Sequence, residues 1–318
     1  MREFIIHKND AGQRLDRFLL KAVPLLPASL AQKYIRLKRI KVNGARAERD
    51  YRLCEGDALQ LYINDEFFEA PNEENVYLTI ATPRLHIIYE DENLMLLDKP
   101  AGMVVHADES ERVNTLVNHM LAYLYQKREW KPREENAFTP ALCNRIDRNT
   151  GGIVIAAKNA EALRILNEKI RERELSKFYL CICLGRPEPP KGRIECFLRK
   201  DERTNTVRVY HHPVPDGRSA VTLYETLETR DRLSLVEVEL LTGRTHQIRA
   251  SFADLGHPLL GDGKYGVGSV NRRFGETQQA LYSYRLRFDL PTDAGILNYL
   301  RGREFIADEV PFRRRYFG

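Results

Sequence analysis

Residues 233–240 read LSLVEVEL, and soon after it TGRTHQIRASFADLGHP carries apolar side chains three and four apart. The first run has the period of a strand and the second that of a helix, so sheet and helix must share one body. The spacing predicts a strand over 233–240. It then predicts a helix capped by Thr245, with Ile248, Phe252 and Leu255 as its inner stripe, ended by Gly256 and Pro258. The same signals recur upstream. Strands are predicted at 86–89, 94–100, 153–157 and 178–184, and a helix capped by Asn159 with Leu163, Leu166 and Ile170 inward. Helices interleaved with hairpin-like strands predict an α+β body on a mainly antiparallel, mixed sheet flanked by helices. Residues 125–139 are charged and are predicted to form a surface insertion, and a basic tail closes the chain.

The first 64 residues differ from the rest. They hold thirteen Lys/Arg against seven Asp/Glu, whereas the whole chain of 318 residues has a net charge of only +5. Leu15, Phe18 and Leu19 mark a short amphipathic helix. A second helix, capped by Ser29, is predicted to present Lys33, Arg36 and Arg39 on one face. Ile40–Val42 then ends in Asn43-Gly44, a hairpin turn. A basic head on a near-neutral body points to a polyanion partner. The organisation predicted is a small domain over 1–64, an acidic linker over 65–84 and a large domain over 85–318.

Several classes are excluded. No apolar run approaches the roughly 20 residues of a membrane helix, and MREFIIHKND is no secretory leader; a cytoplasmic protein is expected. Five cysteines without a C-x-x-C pair read as reduced thiols. Phosphate-loop, dinucleotide and metalloprotease motifs are absent, and Gly261-Asp262-Gly263-Lys264 lacks phosphate-loop spacing. No His/Cys cluster suggests a metal.

Three residues stand out. Asp147, in NRIDRNTGG, lies between Arg145 and Arg148 and ahead of two glycines; it suits a surface ion pair, an arginine anchor or a nucleophile. The glycines permit positive φ or the close approach of another backbone. Tyr179, two residues after Lys177 on one strand face, suits either the core or a stacking platform for a base. Arg249 borders the helix's buried stripe and needs a carboxylate, with Asp147 and Asp254 both available.

Taken together, these segments resemble the RluA-type pseudouridine synthases. Asn144-Arg145-Ile146-Asp147-x-x-Thr150-Gly151-Gly152 is similar to the family's H-R-L-D-x-x-T-S-G signature, with Asn144 in place of His and Gly151 in place of Ser. Lys177-x-Tyr179, the stretch from Leu241 to Asp262, and Asp98 to His106 are similar to its other motifs. The head, with Arg14-Leu15-Asp16 and Gly56-Asp57, resembles the α-L RNA-binding domain named after ribosomal protein S-four. The resemblance implies a pseudouridine synthase fold and isomerisation of uridine in RNA, with large-subunit ribosomal RNA as the target favoured by the joining of this head to this body. It implies Asp147 as the essential acid, attacking the ribose or helping to abstract its proton. Tyr179 would stack on the uracil and could assist the final proton removal, and Arg249 would pair with Asp147. It further implies Arg145, Lys33, Arg36 and Arg39 as RNA contacts, Arg244 and His246 as loop-shaping residues, room for RNA at the glycines, and neither metal nor cofactor. The competing expectation is an RNA-binding or ribosome-assembly factor without activity; a one-carboxylate glycosidase lacks a second acid.

Overall fold

A computed structural model describes residues 1–23, 25–68, 76–132 and 134–318. In the head, β1 (Arg2–Ile5), α1 (Leu15–Ala22), α2 (Ala28–Arg36), β2 (Ile40–Val42), β3 (Ala45–Arg46) and β4 (Ala58–Leu61) follow in order. The four strands form one sheet in the order β1-β4-β2-β3. Leu15, Phe18 and Leu19 of α1 are buried, with Ile35, Ile40, Leu59 and Leu61, in a core of the head's own. The Asn43-Gly44 turn has φ of 52° and 75°, the left-handed pair a two-residue hairpin requires.

The second helix departs from expectation at both ends. It starts at Ala28 behind Pro27, with no side-chain cap, so Ser29 lies inside the first turn. It stops at Arg36, and Lys38 takes a φ of 61°. Arg39 therefore lies beyond the helix, its guanidinium 5.4 Å from the centre of the Tyr34 ring. Lys33 and Arg36 are exposed on α2, and Arg39 is exposed after it. β1 was not foreseen; its pairing with β4, not its own weak alternation, secures it.

The body contains β5 (Ile87–Glu90), β6 (Leu94–Lys99), α3 (Leu116–Gln126), β7 (Ala141–Leu142), β8 (Gly151–Ala157) and α4 (Ala160–Arg171). β9 (Leu175–Leu184), β10 (Lys191–Asp201), β11 (Thr206–Tyr210), β12 (Arg218–Arg230), β13 (Leu233–Leu240) and α5 (Gln247–Asp254) follow. α6 (Gly268–Phe274), β14 (Leu281–Phe288), β15 (Glu304–Ile306) and α7 (Pro311–Phe317) complete it. Among the described residues the body's strands form one sheet, ordered β11-β10-β12-β13-β9-β14-β8-β6-β5, with β7 beside β8 and β15 beside β14. All neighbours are antiparallel except β8 and β14, which run parallel. The sheet is thus mixed but mainly antiparallel, and Val154, Cys181, Val236 and Phe252 share one core on the face that α5 covers.

Segment 65–84 holds two short 3-10 turns, Asp65–Phe68 and Val76–Thr79, with Tyr77 buried; its residues 69–75 lie outside the described residues. The expected surface insertion at 125–139 is anchored instead. Its Trp130 and Phe138 are buried, because two large aromatic rings outweigh the surrounding charge. It also meets the head: Asn136 donates to the Ile5 carbonyl at 2.7 Å and to Asp10 at 3.0 Å, and Asn9 donates to Glu135 at 2.9 Å. Arg164 of α4 adds a bond to the Ala11 carbonyl. All five cysteines are free.

Candidate active site

A cavity of about 770 Å³ opens between the loop before β8, the start of β9 and the turn from β13 into α5. Asp147, Tyr179, Arg249, Arg145 and Lys177 all line it. Lys33, Arg36 and Arg39 lie on the head and do not.

The loop bearing Asp147 is fixed from several sides. The Asn144 side chain accepts from the Ile155 amide of β8 at 2.8 Å, which ties the loop's entry to the sheet. The Thr150 amide donates to the Asp147 carbonyl at 3.0 Å. Beneath the loop, the fully buried Lys99 ammonium donates to the carbonyls of Pro100, Met103 and Arg148 at 2.7–3.0 Å. Three acceptors satisfy all the donors of an ammonium. Burial drives Lys99 down to about 7, against the fields of Asp147 and Asp98.

The two glycines do not make room for RNA. They are buried at the start of β8. A Cβ on Gly151 would lie 2.4 Å from the Tyr282 ring, and one on Gly152 (φ 110°) only 2.1 Å from the Ser283 carbonyl oxygen. They admit β14 alongside β8, the close-backbone alternative open to such a pair. Tyr282 occupies the space a Ser side chain at position 151 would need.

Arg249 lies between two carboxylates. Its Nε and Nη2 donate to Asp262 at 2.6 and 2.9 Å, and its Nη1 donates to Asp147 Oδ2 at 2.8 Å. Asp262 is buried and also accepts the Lys264 and Tyr265 amides. Burial opposes the charge of Arg249, but Asp262 and then Asp147 outweigh it and hold the guanidinium above its usual value. Asp262 is held below its usual value against burial, chiefly by Arg249. The Asp147 side chain is 28% exposed to the cavity. Asp254, the competing partner for Arg249, lies 3.1 Å from His211 instead.

α5 begins one residue later than expected. His246, left-handed at φ 51°, takes the cap position in place of Thr245, and no side chain caps the helix. Leu255 falls after the helix and is exposed, because the helical stripe ends at Phe252. The His246 ring is 3.7 Å from Asp147 and bonds Tyr265 at 2.8 Å. Burial, reinforced by Arg249 and Lys264 against Asp147, lowers it to about 4. It is therefore a neutral ring at neutral pH. Arg244 is exposed and donates to the Ser219 carbonyl at 3.1 Å.

Tyr179 is buried against the cavity, and burial raises its phenol to about 12. Arg145 is exposed at the rim. Sequence reasoning missed Asp262, Lys99 and the rim arginines Arg171 and Arg173. Two signals pointed toward Asp262 without giving it a role: the motif-like stretch that it ends, and the unmet need of a half-buried arginine for an acid. Among the described residues no group of three or more His, Cys, Asp or Glu could hold a metal ion, and no helix is long and apolar enough to cross a membrane.

Residues 93–254 match the RNA pseudouridylate synthase family, and residues 13–59 match the S4 domain. An uncharacterized RNA pseudouridine synthase of Mycoplasma genitalium is 32% identical over 289 residues, covering 90% of this chain and 88% of that protein. The ribosomal large subunit pseudouridine synthase C of Vibrio parahaemolyticus is 30% identical over 293 residues, covering 91% and 88%. Among solved structures, human RNA Pseudouridylate Synthase Domain Containing 4 covers 75% of this chain and 94% of its own, with a TM-score of 0.56 at 21% identity; it supports the fold.

Proposed function

The chain belongs to the RNA pseudouridylate synthase family, and from that premise we propose that it isomerises uridines of large-subunit ribosomal RNA, in the cytoplasm, with Asp147 as the essential acid. It is an RNA pseudouridine synthase carrying an S4 domain, and RNA is its partner. The narrower target is favoured by relatives named ribosomal large subunit pseudouridine synthase C.

One observation carries the role of Asp147: its carboxylate faces the cavity while its Oδ2 is held by an arginine that Asp262 already anchors. A carboxylate so oriented needs no rearrangement when a nucleotide arrives, which is the condition for electrostatic preorganisation. In the reaction the bond from N1 to C1′ breaks, the uracil turns, and C5 bonds C1′. The C5 proton then leaves and N1 gains one, so nothing is consumed. Asp147 attacks C1′ or takes a ribose proton; its open face serves either. Tyr179 stacks on the uracil. Burial raises its phenol to about 12, so at neutral pH the ring meets the uracil uncharged. The exposed Arg145 meets a phosphate as the nucleotide leaves the stack, at a flipping cost of a few kcal/mol. Lys33, Arg36 and Arg39 meet phosphates of the surrounding RNA. The organisation proposed is a head over 1–64, a connection over 65–84 and a catalytic domain over 85–318, and the head's own core supports it.

Carbodiimide-primer-extension mapping of ribosomal RNA from cells lacking the gene tests this. Specific pseudouridines should vanish and return with the wild-type gene but not with Asp147→Ala. Rescue by Asp147→Ala removes the role of Asp147. No change at any site supports an RNA-binding factor instead.

A further inference from the structure

The buried and half-buried lysines of the body each have acceptors, with one exception. Lys99 has three carbonyls, Lys158 has Glu90 and Glu129, and Lys169 has Glu174. Among the described residues the ammonium of Lys177 has neither a hydrogen bond nor an ion pair. It lies in the wall of the catalytic cavity, and burial alone lowers its pKa. Glu239, the other acid in that wall besides Asp147, is in register with Phe178 rather than with Lys177. An uncompensated cation in such a place costs stability, so its partner is to be sought among the molecules that enter.

Position narrows that partner. Lys177 precedes Tyr179 by two residues on β9. Both side chains therefore leave the same face, about 7 Å apart along the strand. A uracil stacked on Tyr179 brings its edge within reach of a lysine at that spacing. The phosphates have other partners, because Arg145, Arg171, Arg173 and Arg244 are exposed around the same cavity.

We propose that the Lys177 ammonium donates a hydrogen bond to a carbonyl oxygen of the uracil and stabilises the negative charge the ring acquires as its bond to C1′ breaks. The proposal rests on the placement of Asp147 and Tyr179 given above. When that bond breaks, its electron pair passes to N1 and spreads over O2 and O4. When C5 attacks C1′ the pair returns to carbon, and the charge at the oxygens disappears. Attack by Asp147 and abstraction of a ribose proton both release the same uracil anion, so Lys177 serves either route. The donor binds the departing ring more strongly than the intact nucleotide, which is what accelerates the step.

The test uses the full chain and an RNA transcript bearing a site mapped in the deletion strain, with uridine or 5-fluorouridine at the target. Single-turnover loss of the target nucleoside and RNA affinity are measured separately. Fluorine already stabilises the departing anion, so dependence on Lys177 should shrink. Lys177→Met should slow the uridine reaction about 10²–10³-fold, slow the 5-fluorouridine reaction less than about tenfold, and leave affinity within about twofold. Lys177→Arg should recover most of the rate. Lys177→Met should melt no lower than wild type, since it removes an unpaired half-buried charge. Equal losses with both nucleosides overturn the proposal, as does a loss confined to affinity, which assigns Lys177 to a phosphate. A lower melting temperature with unchanged chemistry makes it structural. An inactive wild type removes the functional reading beneath it, and is recognised by the absence of product with either protein.

Discussion

Replacing Asp262 by Asn changes almost no volume but deletes the charge that anchors Arg249. Asp262 Oδ1 accepts from Arg249 Nη2, Lys264 N and Tyr265 N, while Oδ2 accepts from Arg249 Nε. Asn keeps one acceptor and turns an amide N–H toward the Nε–H. The buried guanidinium then keeps Asp147 as its charged partner and only a neutral acceptor at position 262. Breaking one side of a buried pair costs about 3–5 kcal/mol, and in a chain of this size each kcal/mol moves the melting temperature by about 2–4 °C. The expected fall is on the order of 10 °C by differential scanning fluorimetry. The activity should fall as well, because Arg249 is pulled wholly toward Asp147. The double variant Asp262→Leu with Arg249→Met separates the two effects. Hydrophobic replacement of the whole pair should restore most of the melting temperature, while pseudouridine formation stays lost because Asp147 has no donor. If the double variant is as unstable as Asp262→Asn, then Asp262 acts through the two backbone amides and the charge argument is wrong. If it regains activity, Arg249 does not position Asp147.

Other outcomes follow from the same geometry. Gly152→Ala should lower the melting temperature by on the order of 10 °C, since its Cβ would strike the Ser283 carbonyl at a φ of 110°; an unchanged melt refutes the packing account. Gly151→Ser should destabilise the protein by about 1–3 kcal/mol through overpacking against Tyr282, and Tyr282→Ala should offset part of that loss in the double variant, read by urea denaturation. His246 is held near 4 in the fold against about 6.5 unfolded, so the folded state binds fewer protons between those values. Stability therefore rises with pH through that window and is lost on acidification. His246→Gln should remove on the order of 2 kcal/mol of the fall between pH 7 and 5; equal slopes for both proteins refute it. Changing Lys33, Arg36 and Arg39 together to Ala should flatten the salt dependence of RNA affinity by about 0.7–0.9 for each phosphate no longer neutralised; an unaltered slope removes them from the interface.

Periodicity located most elements because their burial is one-sided. Leu15, Phe18 and Leu19 face a core, and the body's strands alternate or run apolar as their position in the sheet demands. The ends were less legible. No local rule shows that Pro27 rather than Ser29 precedes α2, or that His246 turns left-handed before α5. β1 escaped because a strand with little burial is secured by its partner β4, 56 residues along from Arg2 to Ala58. At the site, residue types suggested Asp147, Tyr179 and Arg249 as candidates. Asp262 stayed hidden because the need of an arginine for an acid names no address. Of the readings of the glycines, close backbone approach held and room for RNA did not: the backbone that Gly152 admits belongs to Ser283, 131 positions beyond it.

The seam between head and body is built mainly from side-chain amides and backbone carbonyls: Asn9, Asn136, Ile5, Ala11. With the head docked there, an RNA gripped by it is no longer a free reactant to the cavity. It is a tethered one, whose uridine arrives at an effective concentration of about millimolar for a short flexible span. The cavity can then bind its nucleotide weakly and still stay filled, and weak binding lets the product go. The same tether sorts substrates by length before any base is read. A uridine too few or too many nucleotides from the grip never reaches Asp147, whatever its sequence. Shortening or stiffening the RNA between the two grips would shift which uridine is modified, with every residue of the catalytic pocket left as it is.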